Sequence, residues 1–150
     1  MYRDLGGLPG GALELNDAGH ITTLEADAAR IAVARRLLDD LGLTRVLIIE
    51  GRFHDTLSGV LDRSEAIDMA FIDSHYEEEA TVEYFHAIAP SLRGGAIVVF
   101  DDIDWSDGMA RAWRRVGRDD RFDAILTVNG LGVGIASGTR GWEESHDVFV

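Results

Sequence analysis

The sequence predicts an α/β sandwich built on a mainly parallel sheet that ends in an antiparallel hairpin. Three observations carry this. β-favouring runs alternate with amphipathic stretches of helical period from residue 20 onward. The runs at 46–49 (Val-Leu-Ile-Ile) and 96–100 (Ala-Ile-Val-Val-Phe) are continuously apolar, the pattern of strands covered on both faces. Near the end, Asn129-Gly130 separates two β-favouring runs, the strongest short-range hairpin signal.

Residues 1–19 hold five glycines and Pro9 with no clear period, so they read as an irregular N-terminal segment with one short strand or helical turn at 12–15. A short strand follows at 20–24 and ends at Glu25. Residues 26–41 read as a helix, with Ile31, Ala34, Leu38 and Leu41 on one face and Gly42 as terminator. A strand over 45–50 stops at Gly51, and a short helix over 55–61 carries Asp55 near its cap. The run 67–73 is a further buried strand. The helix over 77–89 turns Val82, Phe85 and Ile88 inward and stops at Pro90. Gly94-Gly95 turn the chain into the strand at 96–100. A helix over 107–115 places Met109 and Trp113 four apart, and the hairpin spans 122–128 and 131–136. The tail from Ser137 is polar and weakly specified. The expected organisation is an N-terminal segment 1–19, a domain 20–136 and a tail 137–150, with right-handed crossovers.

Composition removes several function classes. The chain has 150 residues, and its net charge of −13 comes with arginine as the sole cation type besides histidine; there is no lysine. Such acidity opposes non-specific nucleic-acid binding and docking on anionic membranes. With no cysteine, disulfides, thiolate metal sites and thiol nucleophiles are excluded. No apolar run is long enough to span a bilayer, and the first eleven residues lack the pattern of a signal peptide, so a cytoplasmic protein is the expectation.

In open parallel sheets, ligands sit beyond the carboxyl ends of the strands. Glu25, Glu50, Asp73 and the pair Asp101-Asp102 each follow an apolar run directly. A carboxylate there must be solvated, hydrogen-bonded or coordinated. Glu25 stands where an acid can accept from both hydroxyls of a ribose; equally, it is an acid favoured at a helix N-terminus. Asp73, Asp101 and Asp102 could hold a hard cation such as Mg²⁺ or Ca²⁺, or form a solvated acidic loop continued by Asp104 and Asp107. His54 and His75 lie just past strand ends, where either can act as a base, contact a ligand or simply be solvated. Tyr76, Trp105 and Trp113 are candidates for a pocket wall or for packing. No Walker loop, nucleophile elbow or zinc spacing is present.

The segments Thr22-Thr23-Leu24-Glu25, Gly51-Arg52-Phe53-His54-Asp55-Thr56-Leu57, Phe71-Ile72-Asp73-Ser74-His75, and Leu92-Arg93-Gly94-Gly95 leading to Val98-Val99-Phe100-Asp101-Asp102-Ile103 stand in one order along the chain. Together with Trp105-Ser106-Asp107-Gly108-Met109 and Ala112-Trp113, they resemble class I S-adenosylmethionine-dependent methyltransferases. The resemblance is to the small O-methyltransferases of the catechol and caffeoyl-CoA type and their bacterial relatives, over residues 20–136. It implies a Rossmann-like sheet, a small-molecule substrate and S-adenosyl-L-methionine as cofactor. Glu25 would bind the cofactor ribose, and Ala26, Phe53 and His54 would border the adenine. Gly51, Ser74 and His75 complete the implied cofactor set. Asp73 would lie near the methionine ammonium. In metal-dependent relatives it would join Asp101 and Asp102 around Mg²⁺ or Ca²⁺, where a cation would lower the pKa of the attacked hydroxyl.

Two departures stand out. The lysine that many relatives carry three positions after the strand-end aspartate is Tyr76 here, leaving His75, Tyr76 or the metal alone to serve the proton transfer. The family's first strand and acidic glycine loop should precede Glu25 by about twenty residues. That interval holds Leu5-Gly6-Gly7-Leu8-Pro9-Gly10-Gly11 with no apolar strand before it, so the first strand is expected to be missing or degenerate. A sheet lacking its central strand leaves backbone groups unpaired. The sequence therefore reads as truncated, or as one whose sheet closes up or takes a strand from a partner, as in a homodimer. The alternative function is a methyltransferase-fold protein without catalysis, acting as a binding or partner subunit. A phosphoacceptor receiver fits less well, because its acidic pair would come early and it needs a lysine. An NAD-dependent domain lacks its glycine fingerprint.

Overall fold

The computed structural model describes residues 7–64, 66–73, 77–138 and 147–149, with backbone alone for residues 7, 8 and 147–149. The described residues form two compact units, the first running to Ser64 and including the C-terminal strand, the second following it.

The first unit holds helix α1 (Gly7–Asn16), strand β1 (His20–Glu25), helix α2 (Ala28–Leu41), strand β2 (Val46–Glu50), helix α3 (Phe53–Leu61) and strand β7 (Asp147–Phe149). β1 pairs in parallel with β2, Ile21 opposite Val46 and Glu25 opposite Glu50. On its other flank β1 pairs in parallel with β7, Ile21 opposite Val148. The polar tail is thus corrected: three of its residues form a strand, and the flank of β1 away from β2 carries the chain's own C-terminal segment. The N-terminal segment is corrected too, since Gly7–Asn16 is helical. Its glycines weaken helix propensity, but tertiary bonds hold the end of it. The Glu14 carboxylate accepts from the Thr44 backbone N–H, from Thr44 Oγ1 at 2.9 Å and from the Arg45 N–H at 2.8 Å, tying α1 to the start of β2. The Thr44 hydroxyl, with those amides and Arg45, keeps this carboxyl below its ordinary pKa.

Leu13, Ile21, Ile31, Leu57 and Val60 form the core of this unit. Ala34 and Leu38 are half-buried as their spacing implies, but Leu41, the last residue of α2, is 55% exposed. Leu47 is 54% exposed, so β2 is not covered on both faces; it pairs only with β1 among the described strands.

The second unit holds β3 (Ile67–Ile72), α4 (Glu78–Ile88), a single 3₁₀ turn (Ala89–Ser91), β4 (Leu92–Phe100), α5 (Asp107–Val116), β5 (Phe122–Val128) and β6 (Leu131–Ala136). β3 and β4 are parallel, β4 and β6 antiparallel, and β5 closes the hairpin against β6. The hairpin turn is the expected one, with Asn129 at φ 48° and Gly130 at φ 82°. β4 begins four residues before the expected strand, its register shifting where Gly94 and Gly95 are taken up rather than forming a separate turn. Val82, Phe85 and Ile88 point inward as expected. Phe85 stacks on Phe122 at 5.0 Å and meets Phe100 at 6.1 Å, while Trp113 packs against Phe100 at 5.6 Å. This aromatic layer needs the two glycines of β6. A Cβ on Gly132 would lie 2.7 Å from Trp113, and one on Gly134 would lie 2.4 Å from Phe122. Trp113 is therefore a packing residue, its indole N–H donating to Thr127 Oγ1 at 3.0 Å.

Candidate cofactor site

The first unit presents a rim where β1 and β2 end side by side. The Gly51 N–H donates to the Glu25 carbonyl at 3.0 Å, so the two strand ends are tied directly. Gly51 sits at φ 148°, and a Cβ there would come within 2.5 Å of Thr56 Cγ2, so only glycine fits this turn. The Glu25 side chain is 31% exposed. Its Oε1 accepts from the Asp27 N–H at 2.8 Å, and its Oε2 lies 3.4 Å from Arg30 Nη1. Asp27 is the N-cap of α2, accepting from the backbone N–H groups of Ala29 at 2.8 Å and Arg30 at 3.2 Å. Those bonds, the Arg30 one first, hold its carboxyl below the usual range.

Ala26 is exposed beside Glu25. Phe53 is the half-buried first residue of α3, and His54 follows it, exposed, with Nε2 at 2.9 Å from Asp55 Oδ1. α3 starts at Phe53, two residues before the expected cap. Asp55 therefore lies in its first turn, where the helix dipole favours an acid. Glu25, Ala26, Gly51, Phe53 and His54 thus all lie on one rim, at the carboxyl ends of β1 and β2. Arg30 and Asp27 are additions that sequence reading missed. The signal was present in Asp27, an acid directly before a helical period, and in an arginine three residues later. The cavity between α2 and β2, about 470 Å³ and lined by Arg35, Leu38, Leu43, Val46 and Ile48 among others, contains none of the rim residues.

The second unit presents another acidic rim, where β3 and β4 end with Ile72 opposite Phe100. The Asp101 N–H donates to the Ile72 carbonyl at 3.0 Å. Asp73 is exposed, Asp102 half-buried, and Asp101 is only 5% exposed. Asp101 Oδ1 accepts the Asp102 N–H at 2.9 Å, so this carboxylate braces its own loop. Asp102 adopts φ 51°, a left-handed conformation that aspartate tolerates better than most residues. The Ile103 N–H then donates to the Gly130 carbonyl at 2.9 Å and the Trp105 N–H to the Asp102 carbonyl at 3.0 Å. Trp105 is 69% exposed above this loop. Ser74, His75 and Tyr76 lie outside the described residues.

The expected metal set does not fit. Among the described residues, which include Asp73, Asp101 and Asp102, no three His, Cys, Asp or Glu side chains stand close enough to hold a metal ion. Of the three acids Asp101 is the most buried and accepts the Asp102 N–H, while Asp102 takes a left-handed backbone conformation.

No helix among the described residues is long and apolar enough to cross a membrane. No curated protein matches the chain in sequence. Among solved structures, cofactor-bound Rv0187 from MTB is similar over 93% of this chain and 82% of its own, with a TM-score of 0.71 and 19% identity. The O-methyltransferase TomG from Streptomyces achromogenes, solved with SAM, is similar over 92% of this chain and 82% of its own, with a TM-score of 0.68 and 19% identity. The O-methyltransferase from Bacillus cereus, in complex with SAH, gives 91% and 82%, with a TM-score of 0.68 and 16% identity. These likenesses establish the shared fold. Residues 10–103 match the family described as a methyltransferase domain. The chain belongs to that family, the class I S-adenosylmethionine-dependent methyltransferases.

Proposed function

We propose that this protein transfers a methyl group from S-adenosylmethionine to a hydroxyl of a small molecule, with the Glu25 rim holding the cofactor's adenosine. The observation that carries the reading is the state of Glu25. A carboxylate offers about four lone-pair positions. The Asp27 N–H and Arg30 engage one on each oxygen, so each oxygen keeps one for a ribose hydroxyl. Ala26, Phe53 and His54 border the adenine, and Gly51 keeps the strand-end turn free of a side chain. The TomG and Bacillus cereus structures hold SAM and SAH, which supports S-adenosylmethionine as the cofactor.

The cofactor brings a methyl group made electrophilic by its sulfonium, and its departure as a thioether makes transfer a single in-line displacement. The protein's part is alignment of the acceptor oxygen and removal of its proton. Positioning of this kind accounts for much of the rate in such displacements. We assign the proton to His75 or Tyr76 on the sequence resemblance. No step is routed through a cation, since no three ligating side chains among the described residues stand close enough to hold one. Incubation with S-adenosylmethionine carrying a labelled methyl and a panel of catechols and other phenols tests the reading. Label should pass to a hydroxyl oxygen. Transfer to nitrogen or carbon acceptors alone would contradict it.

A further inference from the structure

We propose, resting on the ribose assignment of Glu25, that Arg30 is a positioning residue for the cofactor: it locks the Glu25 carboxylate in the orientation that leaves one lone pair of each oxygen for the ribose hydroxyls. Arg30 occupies the third position of α2, in a first turn that holds no acid. A cation there opposes the helix dipole, which favours negative charge at an N-terminus. Burial does not explain it either, because its side chain is 62% exposed. Its contacts do. Nη1 reaches Glu25 Oε2 at 3.4 Å, and Nε lies 3.9 Å from Asp27 Oδ2. Its own backbone N–H donates to Asp27 Oδ1 at 3.2 Å.

The three residues form a closed ring of contacts. Glu25 Oε1 takes the Asp27 N–H, Asp27 caps α2, and Arg30 reaches back from the capped turn to Glu25 Oε2. Each oxygen is fixed from the protein side by a different donor, so the carboxylate plane cannot turn freely about its last bond. A carboxylate held this way is pre-oriented, and the cofactor does not have to order it on binding. Losing Arg30 leaves Oε1 anchored and Oε2 free to turn toward solvent.

The test is calorimetric titration of S-adenosylhomocysteine into the wild type, Arg30→Ala, Arg30→Lys, Glu25→Gln and the double variant Glu25→Gln/Arg30→Ala, with melting temperatures measured on each. Exposed ion pairs contribute up to ~1 kcal/mol, so Arg30→Ala should weaken binding about three- to fivefold. Arg30→Lys should recover most of that loss. The KM for S-adenosylmethionine should rise by the same factor with kcat at saturation held, and the melting temperature should stay near that of the wild type. In the Glu25→Gln background, Arg30→Ala should weaken binding no further. Full wild-type affinity in Arg30→Ala beside weakened Glu25→Gln would overturn the positioning role and leave the ribose assignment standing. Equal losses from Arg30→Ala in both backgrounds would overturn it as well, since Arg30 would then act independently of Glu25. Unchanged affinity in Glu25→Gln itself would overturn the ribose assignment and the positioning role with it.

Discussion

The two rims start from the same sequence pattern, an acid directly after an apolar strand, and end in different chemistry. At the end of β1 the backbone runs on into an N-capped helix, and Glu25 is held by that helix with both oxygens still partly open. At the end of β4 the backbone turns left-handed at Asp102, and Asp101, only 5% exposed, accepts the Asp102 N–H on Oδ1. The fate of a strand-end acid is therefore set by the backbone that follows it. The acid before the capped helix stays 31% exposed, whereas the acid before the tight turn is buried.

The largest effect should come from the layer beneath the second rim. Phe85→Ala removes a ring packed on Phe122 and Phe100 and should destabilise the second unit by about 3–5 kcal/mol, seen in denaturant unfolding followed through tryptophan fluorescence. A loss below about 1 kcal/mol would mean that the aromatic layer does not carry that rim. Next comes the contrast between the rims. Hydrogen bonds to a charged group contribute about 1.5–3 kcal/mol. Glu25→Gln should therefore weaken adenosylhomocysteine binding about 10–100-fold while leaving the circular dichroism and melting temperature close to wild type. Equal loss of binding and folding would assign Glu25 to the scaffold instead.

A smaller effect concerns pH. The Arg121 guanidinium grips Asp119 through both oxygens, at 2.7 Å each, and lies over the Phe85 ring. Bonding by Arg121 lowers the Asp119 pKa from 3.8 to about 2. A carboxyl with a depressed folded-state pKa stabilises above its unfolded value and loses that contribution as pH falls through the folded one. The second unit should thus lose stability between about pH 4 and pH 2, and Asp119→Asn should flatten that part of the melting profile. A step of the same size in the variant would assign it to other carboxyls. The smallest expected effect is from metal removal. Since Asp73, Asp101 and Asp102 do not form a cation site, dialysis against EDTA should leave methyl transfer unchanged. Loss of activity restored by Mg²⁺ would show that the second rim rearranges around a cation.

Much of the fold was legible because its signals are local. The Asn129-Gly130 turn, the inward face Val82-Phe85-Ile88 and the Gly42 stop of α2 each rest on a few adjacent residues, and each is found in place. α1 and β7 were not legible, because distant partners hold them: Glu14 on Thr44 and Arg45, and Val148 opposite Ile21. The exposure of Leu47 follows from the place of β2 at the edge of the sheet, which a continuous apolar run does not tell. In the candidate site, strand-end position found Glu25 and Gly51, since a parallel sheet brings strand ends together. It could not find Arg30, whose role lies in reaching backward across the helix cap. It also grouped Asp73, Asp101 and Asp102 as a cation set, and no such group of three stands together among the described residues.

Recognition of ribose hydroxyls by Glu25 is tested most directly by titrating adenosylhomocysteine and its 2′-deoxy counterpart into the wild type and Glu25→Gln. The wild type should prefer the ribose form by about tenfold, as expected for one charge-assisted hydrogen bond, and Glu25→Gln should lose most of that preference. Equal affinity of the wild type for both ligands would contradict the account.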